Sequence, residues 1–440
     1  MTDQSEGNQM QPGNRTSDKR PPAMTAAQKM LARACGREHV APGEVIYPTP
    51  ELVIIHDGFV ETSYRELHAL GYGSVVSPEK VVFVTDHEVA YTSQRAVERG
   101  RNIRSIAKAW QVGQLFDAGR GGHGHIFPME SGLVRPGMFL FCYDMHCTTF
   151  GAVGALAMAA GTEVTAVLAT GSLWTTVPHT VRIDLTGALK RGAHARDAGF
   201  LLAQGFGDGR FGVQHDNRII EFGGPGIDGL DLASRVALIN SITEMGVANV
   251  LFAAPPQGTD VSAAPDHASD ADCVYEGRMH FDLSAVEPQG ALPGGPDRAA
   301  DLASVIGRRI DHAYIGACGS GMYADFADAA AIVRGRQVAA GVRMFVVPGS
   351  QETARRMADD GLTQVFIDAG AMMLPPGCGP CAGGAMGPLG PGEVSIATAA
   401  TNHAGRFGAH DGEVFLGSPL TVAASAVSGY LADPRSLMVI

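Results

Sequence analysis

The chain has 440 residues, 45% of them hydrophobic and 18% charged, which is long enough for two or three domains with cores of their own. A net charge of −12 argues against a nucleic-acid binder, which carries a basic stripe, and means that an anionic substrate needs local donors or a metal to offset the field. No run of roughly 18 apolar residues is present, so no membrane helix is expected, and seven cysteines, an odd number, suit a reducing cytoplasm better than a disulfide scaffold.

The opening residues, MTDQSEGNQMQPGNRTSDKRPP, are polar and lack the apolar core of a signal peptide, which predicts a disordered tail over 1–23. Ala26 to Arg37 has helical spacing of Ala, Met and Leu. Apolar, β-branched runs then recur, each followed by a helical pattern: Leu52–His56, Val81–Val84, Met138–Cys142, Val164–Leu168, Val250–Ala253, Ala313–Ile315, Met344–Val347 and Val365–Ile367. Short buried strands alternating with helices predict parallel α/β sheets in a layered fold. Gly151–Gly161, GAVGALAMAAG, lacks the GxGxxG spacing of a dinucleotide loop and reads as a small-residue helix packed closely on a sheet. Residues 255–296, rich in Pro, Asp, Ala and Gly, read as a linker carrying a short strand around Met279–Leu283. The expected division is two intertwined α/β domains over 24–299 and a third over 300–440.

Three strand ends offer chemistry. Val81–Val84 runs through Thr85 into Asp86-His87, a glycine loop carries His125, and Phe139–Cys142 runs into Asp144-Met145-His146-Cys147. A carboxylate beside an imidazole holds one tautomer and tunes it for proton transfer near neutral pH. Cys378 and Cys381 lie in LPPGCGPCAGGAMG, too rich in Gly and Pro for a helix, so that both thiols can converge on one centre. Cys-Gly-Pro-Cys is also a thioredoxin-type redox motif, though Pro375 and Pro376 before it and Ala-Gly-Gly after it do not suit the helix that motif opens. Cys318, in YIGACGSGMYADF, is placed at a strand's carboxyl end, where α/β proteins put ligands.

Together these segments resemble the aconitase superfamily, most closely the large subunits of isopropylmalate and homoaconitate dehydratases, from about Met24 to the end. AQKMLARACGREHVAPGE, DLSAVEPQGALPGGPD, VVPGS, GCGPCAGGAMGPLGPGE and GSPLTVAASAVSGYLAD follow the family pattern. The resemblance implies an aconitase-type large subunit, three α/β domains around one 4Fe–4S cluster held by Cys318, Cys378 and Cys381, lacking the mobile swivel domain. It implies a hydro-lyase for a 2-alkylmalate-like hydroxy acid, whose open iron acts as a Lewis acid. Asp86 and His87 match the acid that protonates the leaving hydroxyl, and His125, Asp144 and His146 match residues that bond the hydroxyl or water. Asn240 and Glu244 match the cluster-neighbouring pair, and Arg406 matches the second of two carboxylate-binding arginines. A separate small subunit, making a heterodimer, is implied for the missing swivel domain and its serine base.

Three positions depart from the family pattern. Met145 and Cys147 replace hydroxyl residues, Gly319 and Gly321 thin out polar groups beside Cys318, and Ala400-Thr401-Asn402-His403 lacks the first carboxylate-binding arginine. Cys147 also raises the idea of a ligand to the fourth iron, while Cys35, Cys142 and Cys273 read as small buried hydrophobes. These departures leave a second reading open, a cluster-binding relative without hydratase activity that serves regulation or sensing.

Overall fold

The computed structural model describes residues 22–259 and 266–438, so most of the expected tail lies outside the described residues. The described residues build three sheets and a small two-stranded ribbon, Val45–Ile46 against Thr175–Thr176. The first sheet is all parallel, in the order Gln114–Phe116, Val81–Val84, Leu52–His56, Phe139–Cys142, Leu156–Ala159. Val81–Val84 and Phe139–Cys142 are buried on both faces, as the apolar character of a covered parallel sheet requires. The second sheet, also parallel, runs Asn249–Phe252, Ile219–Gly223, Thr180–Thr186, Gly277–Asp282. The third has seven strands, five of them parallel (Glu413–Leu416, Val394–Ala397, His312–Ile315, Arg343–Val346, Met372–Met373), with Gln289–Ala291 and Ala299–Asp301 added antiparallel at one edge.

Four sequence expectations are corrected. Val164–Leu168 and Val365–Ile367 are not strands but lie in helices Val164–Thr170 and Leu362–Asp368. In the first, Val164, Val167 and Leu168 share one buried face, and Gly171, at φ +84°, closes the helix in the left-handed conformation. In the second, Leu362 and Phe366 are buried four residues apart while Ile367 is half exposed. The glycine-rich 151–161 stretch divides between a 3₁₀ helix, Met145–Val153, and the strand Leu156–Ala159. Its close packing is nonetheless extreme, since a Cβ on Gly151 would lie 1.6 Å from the Val250 carbonyl oxygen. The linker does more than connect, because Gly277–Asp282 pairs along its whole length with Thr180–Thr186.

The first and third sheets are joined where the site forms. The Cys378 N–H donates to the Asp86 carbonyl at 2.7 Å, and the His123 N–H donates to that of Gly349 at 2.7 Å. Gly122 bridges Ser350, and Glu130 accepts from the hydroxyls of Ser350 and Thr353. Among the described residues no helix is long and apolar enough to cross a membrane.

Candidate active site at the sheet ends

In the first sheet, strands 81–84, 52–56 and 139–142 are neighbours, so their carboxyl ends deliver Asp86-His87, His56-Asp57 and Asp144-His146 side by side. Asp86 is fully buried, and its Oδ2 accepts from the Gly124 N–H at 2.8 Å and lies 2.9 Å from His56 Nδ1. His87 Nδ1 sits 2.7 Å from Asp57 Oδ1 and 2.8 Å from Asp86 Oδ1, so two carboxylates hold one imidazole. Burial opposes a charge on His87, but Asp86 and Asp57 outweigh it and hold its pKa well above that of a free histidine. Burial likewise pushes Asp86 upward, yet the charges of His56 and His87 bring it well below the ordinary carboxylate value. His87 retains about a quarter of its side-chain exposure, and so can pass a proton outward.

A second relay faces the first. His146 Nδ1 is 2.9 Å from Asp144 Oδ1, and its Nε2 is 2.9 Å from Glu244 Oε1, at the end of helix Leu232–Thr243. Burial works against a charge on His146, while Cys318, Asp144 and Glu244 together carry its pKa well above normal. His125 behaves oppositely. Its ring lies 4.4 Å from that of His56, neither of its buried nitrogens has a hydrogen-bond partner although Nε2 lies 3.8 Å from Asp144 Oδ1, and burial followed by His56 holds it neutral. His123, buried nearby, is pulled down to about 4 by the same loss of water. The site therefore combines proton-holding imidazoles (His87, His146) with neutral ones, of which His125 has both ring nitrogens free of hydrogen bonds while His123 Nδ1 accepts from the His125 N–H at 3.2 Å.

The third sheet supplies the thiols. Cys318 follows strand His312–Ile315 after Ala317, which takes the left-handed φ of +61°. Cys378 caps and Cys381 ends a single 3₁₀ turn, Gly379–Cys381, with Gly377 passing so close to Asp86 that a Cβ would sit 2.6 Å from its carbonyl oxygen. All three cysteines are buried and none is disulfide-bonded. Burial raises the Cys378 thiol, with Asp86, Cys381 and Cys318 adding to it, and burial raises Cys318 against the pull of His146. The three sulfurs thus lie close enough to act on one another, Cys378 also beside Asp86 and His123 and Cys318 beside His146. Tyr314 braces the group, donating its hydroxyl to the Cys378 carbonyl at 2.9 Å. Two donors are turned on sulfur: Asn240 Nδ2 at 3.2 Å from Cys318 Sγ, and Arg406 Nη2 at 3.6 Å from Cys381 Sγ. Cys381 is the first cause holding Arg406 firmly charged.

Every residue singled out from sequence falls in this one region: Asp86, His87, His125, Asp144, His146, Glu244, Asn240, Arg406 and the three cysteines. Sequence reasoning missed His56, Asp57, His123, Tyr314 and Arg196. The departures acquire physical reasons. Met145 points outward, 41% exposed. Cys147 turns away from the thiols, its Sγ donating to the Ala157 carbonyl at 3.4 Å with Cys142 beside it, so it is no ligand candidate. Asn402 also turns away, its Nδ2 donating to the Leu292 and Val414 carbonyls at 2.8 Å each. Gly319 leaves room for Arg196, because a Cβ there would be 2.3 Å from the guanidinium.

This arrangement defines a class: an α/β protein presenting three buried thiols opposite paired carboxylate–imidazole relays. The family model described as "Aconitase family (aconitate hydratase)" matches residues 37–260 and 303–429, and the chain belongs to the aconitase family and is an enzyme of its hydro-lyase class. The 3-isopropylmalate dehydratase large subunit 1 of Methanopyrus kandleri is 35% identical over 93% of this chain and 99% of its own length. The protein of Methanothermobacter thermautotrophicus named "Probable methanogen homoaconitase large subunit" is 36% identical over 94% and 98%. The solved structure of aconitase X from Thermococcus kodakaraensis covers 86% of this chain and 89% of its own, at 12% identity and a TM-score of 0.48.

Proposed function

We propose that the chain is the cluster-bearing subunit of a hydro-lyase that dehydrates and rehydrates a 2-alkylmalate-like hydroxy acid. The observation that carries this is a group of three buried, mutually interacting thiols set against the carboxylate–imidazole relays, Cys378 beside Asp86 and Cys318 beside His146. The donor set fits a 4Fe–4S cluster: thiolate sulfur suits iron, and an amide and a guanidinium already aim donors at two of the sulfurs. Cys318, Cys378 and Cys381 would hold it. When bound, such a cluster supplies a Lewis-acidic iron that polarises a hydroxyl.

The remaining chemistry belongs to side chains. His87, kept protonated by Asp57 and Asp86, delivers a proton to the departing hydroxyl. His125, with both nitrogens unspent, accepts and donates hydrogen bonds at the same oxygen. Asp144, His146 and Glu244 form a chain that holds a second proton beside Cys318. Arg406 Nε, buried without a partner, offers an N–H for one substrate carboxylate. The corner where a further arginine would lie holds Thr401, whose buried hydroxyl has no partner, and the inward-turned Asn402. A substrate arm there meets no cation, which favours an alkyl group over a third carboxylate. This supports isopropylmalate-like substrates above citrate or homocitrate.

The match across 99% of a relative named a large subunit supports a separate small subunit bringing the base that takes the α-proton. The domain division is part of the same reading: the first two sheets use only residues up to Asp282, although Gln289–Ala291 already belongs to the third. A cytoplasmic setting suits seven free cysteines and an oxygen-sensitive centre.

Anaerobic iron, sulfide and absorbance analysis, beside a Cys378→Ser/Cys381→Ser variant, tests the cluster; about four irons per chain, lost in the variant, are expected. A 2-alkylmalate panel with an added small subunit then tests the reaction. Cluster without turnover on any hydroxy acid would favour the sensor reading, and no iron after careful reconstitution would end both.

A further inference from the structure

Arg196 sits at the start of helix Ala195–Gly207, a place where a basic residue normally reaches into water. Instead it is 0% exposed. Its Nη1 donates to Asn240 Oδ1 at 3.2 Å, its Nη2 donates to the Ala399 carbonyl, and its Nε has no partner. No carboxylate of the described residues lies within ion-pair distance of it. A buried cation without a paired anion is costly, so its counter-charge is to be sought among other groups. Of those acting on it electrostatically, the Cys318 sulfur comes first, ahead of Asp325 and Asp197, and Cys381 follows them.

Three further details fit. Accepting from Arg196 at Oδ1 leaves Asn240 only one amide orientation, the one that points Nδ2 at Cys318 Sγ. Gly319, next to Cys318, is what admits the guanidinium; any side chain would strike Nη1 at 2.3 Å or the Asn240 oxygen at 2.6 Å. The Phe200 ring, 5.1 Å away, shields the charge from water.

We propose that Arg196 is a positioning residue that supplies the buried counter-charge of the Cys318 and Cys381 thiolates and fixes Asn240 as a donor to Cys318. The inference deepens the cluster reading and rests on it for its redox consequence, while the charge pairing needs only a bound metal that draws the thiols to thiolates. It also accounts for Gly319: the polar group lost there is replaced by a cation arriving from another helix.

The test uses the full chain carrying Arg196→Gln, which keeps hydrogen-bonding capacity and loses the charge, and Arg196→Lys, which keeps the charge. Each is titrated anaerobically with Cd²⁺ alone, followed by its ultraviolet thiolate band. After iron reconstitution the midpoint potential of each is measured. Losing a charge-assisted interaction should weaken Cd²⁺ binding about tenfold in Arg196→Gln, with Arg196→Lys near wild type. The potential should become more negative in the Gln variant than in the Lys variant. A purely structural role predicts the reverse order or no difference, and either result overturns the proposal. If Arg196→Gln fails to fold, Gly319→Ala, which displaces the guanidinium while keeping its charge, takes its place and should weaken Cd²⁺ binding; unchanged binding overturns the proposal. Wild type that binds Cd²⁺ but takes up no iron refutes the cluster reading while leaving the Cd²⁺ comparison decisive. Wild type that binds neither refutes both.

Discussion

The Asp86 carboxylate is where a minimal substitution has the most readable effect. Asp86→Asn keeps shape and volume but replaces one oxygen with an NH₂. The Gly124 N–H, 2.8 Å from Oδ2, fixes the oxygen of the new amide on that side, since a backbone donor has no alternative role. The NH₂ then faces His87 Nδ1 at the former 2.8 Å contact. His87 Nδ1 already donates its proton to Asp57, so two donors oppose each other. The two imidazoles and the backbone N–H also lose charge assistance, worth about 1 kcal/mol each, and the opposed donors cost about 1–3 kcal/mol more. Relief from burying a carboxylate returns part of this, leaving a net destabilisation of about 3 kcal/mol. For a chain of 440 residues, that lowers the melting temperature by roughly 3 °C. With His87 no longer held protonated, turnover on whichever hydroxy acid proves to be a substrate should fall about 10²–10⁴-fold, the usual value of a general acid. Differential scanning fluorimetry of the cluster-free chain isolates the first effect, and reconstituted turnover the second. A variant that melts and turns over like wild type would refute the two-carboxylate account of His87.

Other consequences are equally direct. His312 is buried between Ser395 Oγ and the Gly387 carbonyl, at 2.8 and 3.1 Å, and burial pulls its pKa down to about 4. Because the unfolded chain binds its proton near pH ~6.5, stability from this group is complete above that value and is lost as pH falls toward 4, by about 3 kcal/mol. His312→Gln should flatten the pH dependence of the urea midpoint by one proton, and an unchanged slope would contradict the assignment. Gly151→Ala drives a methyl into the Val250 carbonyl and should cost about 3 kcal/mol or more, read as a clear fall in melting temperature. Cys147→Ser should leave iron content and absorbance unchanged, since that thiol bonds backbone away from the cysteine pocket.

The site was legible wherever its chemistry is written within a few residues. Asp86-His87, Asp144-His146 and the two-residue spacing of Cys378 and Cys381 are local signals, and each lies where a strand or tight turn ends. His56-Asp57 carries the same signal at the end of Leu52–His56 and was readable on the same logic. Arg196 was not. Its meaning depends on Asn240 and Ala399, 44 and 203 residues away, and in isolation it reads as an exposed helical arginine. Segments 164–168 and 365–367 misled for a related reason. Both are apolar and partly β-branched, and short runs of that kind do not separate a buried strand from one face of a short helix. The neighbouring Gly171 and Gly361, both at positive φ, marked helix ends in each case.

Two of the departures near the thiols form one rearrangement rather than two losses. Removing a side chain at Gly319 makes room for Arg196, whose Nη2 in turn bonds Ala399 at the head of the loop that runs to Asn402. Asn402, farther along that loop, donates through its Nδ2 to the Leu292 and Val414 carbonyls. On the proposed reading, positive charge sits behind the sulfurs rather than where it would grip a carboxylate, and so serves the electrostatics that three metal-bound thiolates in a chain of net charge −12 require. Restoring an arginine at position 401, where the family pattern has one, would put a guanidinium where the Thr401 hydroxyl now lies buried without a partner.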